Sequence, residues 1–166
     1  NAAGCPCSVF APTATPAAAA VSDGTPIEIG MKFRADTDGF VTGLRFYKGS
    51  QNTGTHIGTL WTSAGKQLAK ATFSGETSSG WQQVTFAAPV AITANTVYVA
   101  SYHTKVGRYA FDSGYFVSSG TDNAPLHALR DGESGGNGVY RYGTRAFPNS
   151  SYNSANYWVD VLFNTQ

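Results

Sequence analysis

The sequence predicts an all-β fold: an antiparallel β-sandwich, jelly-roll-like, with long irregular loops. Three observations carry that reading. Short runs alternate apolar and polar residues with the period of a half-buried strand. The runs recur about every ten residues, separated by turn residues, as in sandwiches and jelly rolls. No stretch keeps a helical period for four turns. Composition agrees. The 166 residues include 19 Gly, 10 Phe, 9 Tyr and 3 Trp, and only 13% are charged, about half the ~25% of an average globular chain. That aromatic content excludes a disordered chain, and the scarcity of Glu, Lys and Leu excludes a long helix or coiled coil.

Taken in order, residues 1–24 read as a linker-like N-terminal segment. It holds Cys5-Pro6-Cys7 and the small-residue run Ala11-Pro12-Thr13-Ala14-Thr15-Pro16, a linker or edge composition. Residues 25–166 read as a single β-sandwich domain. Ile27, Ile29, Met31 and Phe33 alternate with Glu28, Gly30, Lys32 and Arg34, which makes a half-buried strand. Asp36-Thr37-Asp38-Gly39 is a turn by composition. In the next strand Leu44 and Phe46 take one face, Arg45 and Tyr47 the other. His56–Thr62 and Gln67–Phe73 form a hairpin around Ser63-Ala64-Gly65-Lys66. Further strands are expected over Trp81–Phe86, Val97–His103, Tyr109–Phe116 and Val139–Tyr142. Asn156–Asn164 closes the chain. Between Ser118 and Asn137 the alternation lapses around the island Pro125–Leu129, and a gap of that length inside a domain is more often functional or irregularly folded than idle.

The formal net charge is +1, too small for a nucleic-acid binder that works by neutralising phosphates. No run approaches the roughly 18 apolar residues of a membrane span, so no membrane insertion is expected. The two thiols read as a disulfide, with each other or otherwise, or as idle groups near one end. Zinc spacing and Cys-x-x-Cys are both missing. Low Lys and Glu with abundant Ser, Thr, Asn and Gly suit a secreted, extracellular chain.

Several runs carry a family likeness: Met31–Asp36, Gly43–Gly49, Asn52–Trp61, Gly80–Val84, Tyr98–Tyr102 and Asn156–Asp160. Together they resemble an uncharacterised extracellular domain family of bacteria, common in actinobacteria and placed beside immunoglobulin-like and cadherin-like modules. The likeness spans roughly residues 5 to 164. It implies a secreted β-sandwich module of a larger multidomain protein, and it transfers no catalytic residue.

Site chemistry therefore rests on the residues themselves. Sugars stack their C–H faces on aromatic rings and offer hydroxyls to polar side chains. Platforms for that are Trp61, Trp81, Tyr102, Tyr109, Tyr115, Tyr140, Tyr142 and Trp158, although such rings serve cores far more often than ligands. Loops carry binding residues disproportionately, which favours Tyr102, Tyr109, His127, Asp131, Asn137, Tyr140 and Arg141 as the ligand-binding set. Calcium wants about six to eight oxygen ligands. Glu28 in the first strand and Asp160 in the last are the candidate pair for a structural Ca²⁺, with a salt bridge to Lys32, Arg34 or Arg45 as the competing fate of Asp160. Asp112-Ser113-Gly114 with His103 or His127 supplies the residue types of a hydrolytic triad but not its spacing. The resulting expectation is a non-enzymatic, monomeric, secreted module that binds a polysaccharide or cell-surface glycan and so targets a larger protein. The alternative is a structural or adhesive spacer of a surface protein, in contact with other modules of its own polypeptide.

Overall fold

The computed structural model describes residues 5–166. Eleven strands follow one another: β1 (Ile27–Ala35), β2 (Gly39–Lys48), β3 (Ile57–Thr62), β4 (Gln67–Thr72), β5 (Gly80–Ile92), β6 (Tyr98–Thr104), β7 (Thr121–Asn123), β8 (Leu126–Ala128), β9 (Val139–Tyr142), β10 (Ser150–Ser151) and β11 (Val159–Asn164). No helix is formed among the described residues. The strands build two antiparallel sheets packed as a β-sandwich. The small sheet runs β11-β2-β5, and the large one runs β10-β9-β1-β6-β3-β4 with β7 and β8 attached.

The core follows from the period-two patterns. Ile27, Ile29, Met31 and Phe33 of β1 face Leu44 and Phe46 of β2 and Val159, Val161 and Phe163 of β11, all essentially excluded from water. Tyr102 of β6 lies flat on Phe46, with ring centres 4.1 Å apart. Each such side chain contributes on the order of 1.5–3 kcal/mol by leaving water.

Strand β1 organises the large sheet. One edge pairs with β6 along almost its whole length. The other edge is shared: Ile27–Gly30 pair with β9, and Phe33–Ala35 pair with β8. Lys32 sits at the gap between these two partners. The side chain of Asn137 closes that gap like a peptide group. Its Oδ1 accepts from the Lys32 N–H at 2.9 Å, and its Nδ2 donates to the carbonyls of Lys32 and Leu129 at 3.1 and 2.7 Å. The stretch between Ser118 and Asn137 is thus folded: it contains the β7–β8 hairpin, pinned to β1.

The N-terminal segment differs from its linker-like composition. From Cys5 onward it is strapped across the outer face of the small sheet; its first four residues lie outside those described. Cys5 and Cys7 are disulfide-bonded to each other. The backbone of Cys7 pairs with Phe163, and that of Ala18 with Phe111. Val9 and Phe10 are buried, Phe10 lying 5.2 Å from the ring of Trp158. Two apolar residues among small ones are too few to produce a period, so alternation gave no sign of this docking.

Candidate functional site

Strand β9 turns Tyr140 and Tyr142 away from each neighbour's face by its pleat: its odd-numbered residues Val139 and Arg141 point one way, Tyr140 and Tyr142 the other. Register places Tyr140 opposite Ile29 and Tyr142 opposite Ile27, on the core-facing side of the sheet. Here the cover comes from two irregular segments that are bridged at Asp112 and Asn156. Gly114 and Phe116 donate their N–H groups to the carbonyls of Asn153 and Ser154 at 2.8 and 3.0 Å. Asn153 and Ser154 both hold a left-handed backbone, φ 49°, uncommon for residues other than glycine. That turn separates Tyr152 from Tyr157 and presents both rings.

The result is a pocket of about 310 Å³ lined by Ile27, Tyr109, Tyr140, Tyr142, Tyr152 and Tyr157. Its walls meet at steep angles. Tyr109 and Tyr157 cross at 75° with centres 5.4 Å apart, and Tyr140 and Tyr142 at 73° and 5.7 Å. Phe111 backs the site, stacked on Tyr152 and tilted against Tyr157. Tyr109 and Tyr157 are buried, whereas Tyr142 and Tyr152 are 50% and 52% exposed and form the rim.

A carboxylate stands at this rim. The hydroxyl of Tyr142 donates to Asp23 Oδ2 at 2.6 Å, and the Thr25 N–H donates to Oδ1 at 3.0 Å. Burial pushes the Asp23 carboxyl up, but the bonds from Tyr142 and Thr25 outweigh it and hold the group below its ordinary value. Asp23 is ionised at neutral pH. Burial raises the phenols of Tyr109 and Tyr157, and donation to Asp23 raises that of Tyr142. These three phenols are therefore neutral there, with an anion beside them.

The structure brings together two of the seven ligand-binding candidates, Tyr109 and Tyr140, in this pocket and places the other five outside its lining. Tyr102 is 1% exposed, packed on Phe46, and accepts a bond from Asn52 at 3.3 Å. Asn137 is the buried staple of β1. Asp131 accepts from the Asn137 N–H at 2.6 Å and from the Ser154 hydroxyl, so it holds loop to loop. Arg141 is exposed on the face of β9 opposite to Tyr140. His127 lies on β8 between two carboxylates, Nδ1 2.6 Å from Asp122 and Nε2 2.8 Å from Asp36.

The calcium pair is not assembled either. Glu28 lies on the outer face of the large sheet, bonded to Ser101 of β6. Asp160 lies on the outer face of the small sheet, bonded to Arg45 and to the N–H groups of Val9, Phe10 and Val161. The core separates them, and the oxygens of Asp160 already have partners. The hydrolytic grouping is likewise dispersed: Asp112 accepts from the Ala17 N–H and the Trp158 indole, and His103 bonds the Gly143 carbonyl.

The profile of a family described as a domain of unknown function, DUF4082, matches residues 13–159. The chain belongs to that family. No curated protein matches it. All six residues lining the pocket, and Asp23, fall within the matched DUF4082 span, while the disulfide and the buried Val9 and Phe10 precede it.

Tyr152 and Tyr157 were not singled out as site residues by the sequence. The available signal was the spacing of tyrosines on both sides of a strand-breaking run, but their convergence depends on the pairing of Asp112 with Asn156, which no local pattern encodes.

Proposed function

We propose that the domain is a non-catalytic carbohydrate-binding module, working outside the cell, that seats a sugar residue of a polysaccharide or surface glycan in the tyrosine pocket. One observation carries this reading: five tyrosines from three separate segments line one opening of about 310 Å³. That size is at the lower end of the roughly 300–1,000 Å³ of small-ligand sites, suited to one ring or a chain end. Phenol faces offer apolar stacking at low conformational cost, and their hydroxyls both donate and accept, as sugar hydroxyls require. Two rims half exposed to water leave the opening accessible.

Retention of the purified domain on a panel of insoluble polysaccharides, with elution by free sugar, tests the proposal. Tyr152→Ala and Tyr142→Ala are expected to lose retention, while Val117→Ser, at an exposed position outside the pocket lining, keeps it. A folded domain that no matrix retains would leave the spacer role as the better account.

A further inference from the structure

The tyrosine pocket has a chemical bias that sugar stacking alone does not explain. Its lining consists of five phenols and one isoleucine, with no amide, guanidinium, imidazole or ammonium group among them. A neutral sugar is oriented by a mixture of such groups, and an acidic sugar needs a cation. The charged group placed here is the carboxylate of Asp23, fixed at 2.6 Å from the Tyr142 hydroxyl. The faces of phenol rings carry negative potential and attract cations. Ring pairs crossed at 75° and 73° set walls in different planes around a common space, as recognition of an ammonium group by several rings requires.

Resting on the glycan reading, we infer that the sugar seated here carries a positively charged nitrogen, as an amino sugar or a quaternary ammonium substituent, with the nitrogen enclosed by the tyrosine rings beside Asp23. The rings desolvate the cation while supplying electrostatic compensation, and Asp23 supplies the formal countercharge. Arg108, from the neighbouring segment, donates its N–H to the Asp23 carbonyl and packs its guanidinium near Gly24, but it makes no ion pair with the Asp23 carboxylate, and among the described residues Asp23 forms none. Arg141, the nearest cation along β9, points to the opposite face of that strand.

Titration followed by tyrosine fluorescence and by NMR chemical shifts tests the inference with defined probes. At about pH 6 the probes are glucosamine, glucose, glucuronate, choline and 3,3-dimethylbutanol, the last being the uncharged carbon analogue of choline. Glucosamine is expected to bind at least about tenfold more tightly than glucose, and choline more tightly than its carbon analogue. Asp23→Asn should remove most of that preference. Tyr152→Ala should weaken both cations. Equal binding of glucose and glucosamine overturns the cation preference and leaves the glycan reading intact. Binding of choline with no sugar bound at all keeps the cation site and overturns the glycan reading. No binding by any probe to the folded domain overturns both.

Discussion

The guanidinium of Arg45 meets the carboxylate of Asp160 beneath the N-terminal strap, through Nε at 3.1 Å and Nη2 at 2.7 Å. Both side chains are buried, and the ring of Trp81 lies 4.1 Å from the guanidinium carbon. The carboxylate also accepts the N–H groups of Val9 and Phe10 at 2.8 and 2.9 Å, and Arg45 donates to the Phe10 carbonyl. One ion pair therefore joins β2, β11 and the strap.

Removing one partner from this arrangement leaves a buried charge and three unpaired backbone groups. Asp160→Ala is expected to cost about 3–5 kcal/mol, read as a shift of the urea midpoint. It should also open the strap, so that chymotrypsin cleaves after Phe10 in the variant while sparing the parent. A variant as resistant as the parent would mean that the strap is held by Val9 and Phe10 packing alone.

The rim and wall of the tyrosine pocket are expected to respond differently. Tyr157 is 3% exposed and packs on Tyr109 and Phe111, so Tyr157→Ala should destabilise by about 3–5 kcal/mol, as large aromatic truncations in cores do. Tyr152 is half exposed, and its truncation should cost less than about 1 kcal/mol while abolishing sugar binding. Comparing thermal unfolding with retention for both variants separates the two effects. A large stability loss at Tyr152 would make it a packing residue.

The contrast between these tyrosines shows what was legible beforehand. Alternation located β1 and β9 closely because apolar and polar residues alternate along β1 and the faces of β9 differ in burial, so a one-residue slip would have inverted them. The same rule places Tyr140 and Arg141 on opposite faces, so their assignment to one ligand was already in conflict with the strand that carried them. Asn137 looked like a loop donor because its polarity suggests solvent. Its role as a substitute peptide follows only from β1 lacking a strand partner at Lys32, which is a tertiary fact. The β7–β8 hairpin was hidden for a related reason: strands of three residues are too short to show a period.

His127 ties that hairpin to β1. Burial lowers its pKa, but Asp122 and Asp36 outweigh this and raise it above the ordinary value. The protonated ring is thus favoured in the folded state. Its contribution is complete below about pH 6.5 and is lost as pH rises through the raised value. Asp36 and Asp122 are 44% and 73% exposed, so water screens the pair and the effect should stay under about 1 kcal/mol. The parent should lose this increment as pH rises above about 6.5, relative to His127→Gln. Local hydrogen exchange at Leu126 and Ala128 is the sensitive readout, and pH-independent protection there would disprove the linkage.

Glu28 gives the steeper dependence, with the same sign. It is fully buried; its Oε2 accepts from the Ser101 hydroxyl at 2.6 Å, which in turn accepts from the Trp61 indole at 2.8 Å, and its Oε1 has no hydrogen-bond partner. Burial raises its pKa to about 8, offset only in part by Ser101 and by the charge of Arg145. Below about pH 4.5 the group is protonated in both folded and unfolded chains and contributes no pH dependence. Between there and pH 8 the unfolded chain ionises while the fold retains the proton, so stability falls as pH rises. Above the raised value the loss levels off, at a total on the order of a few kcal/mol. Glu28→Gln keeps the shape and removes the titration. Its stability relative to the parent, measured by urea unfolding, should increase from pH 5 to pH 8.5 whatever constant offset the amide introduces. A difference that stays flat across that range would mean that Glu28 is ionised in the fold and compensated by Arg145, and that the loop bearing Arg145 is held by charge as well as by the packing of Phe147 on Trp61.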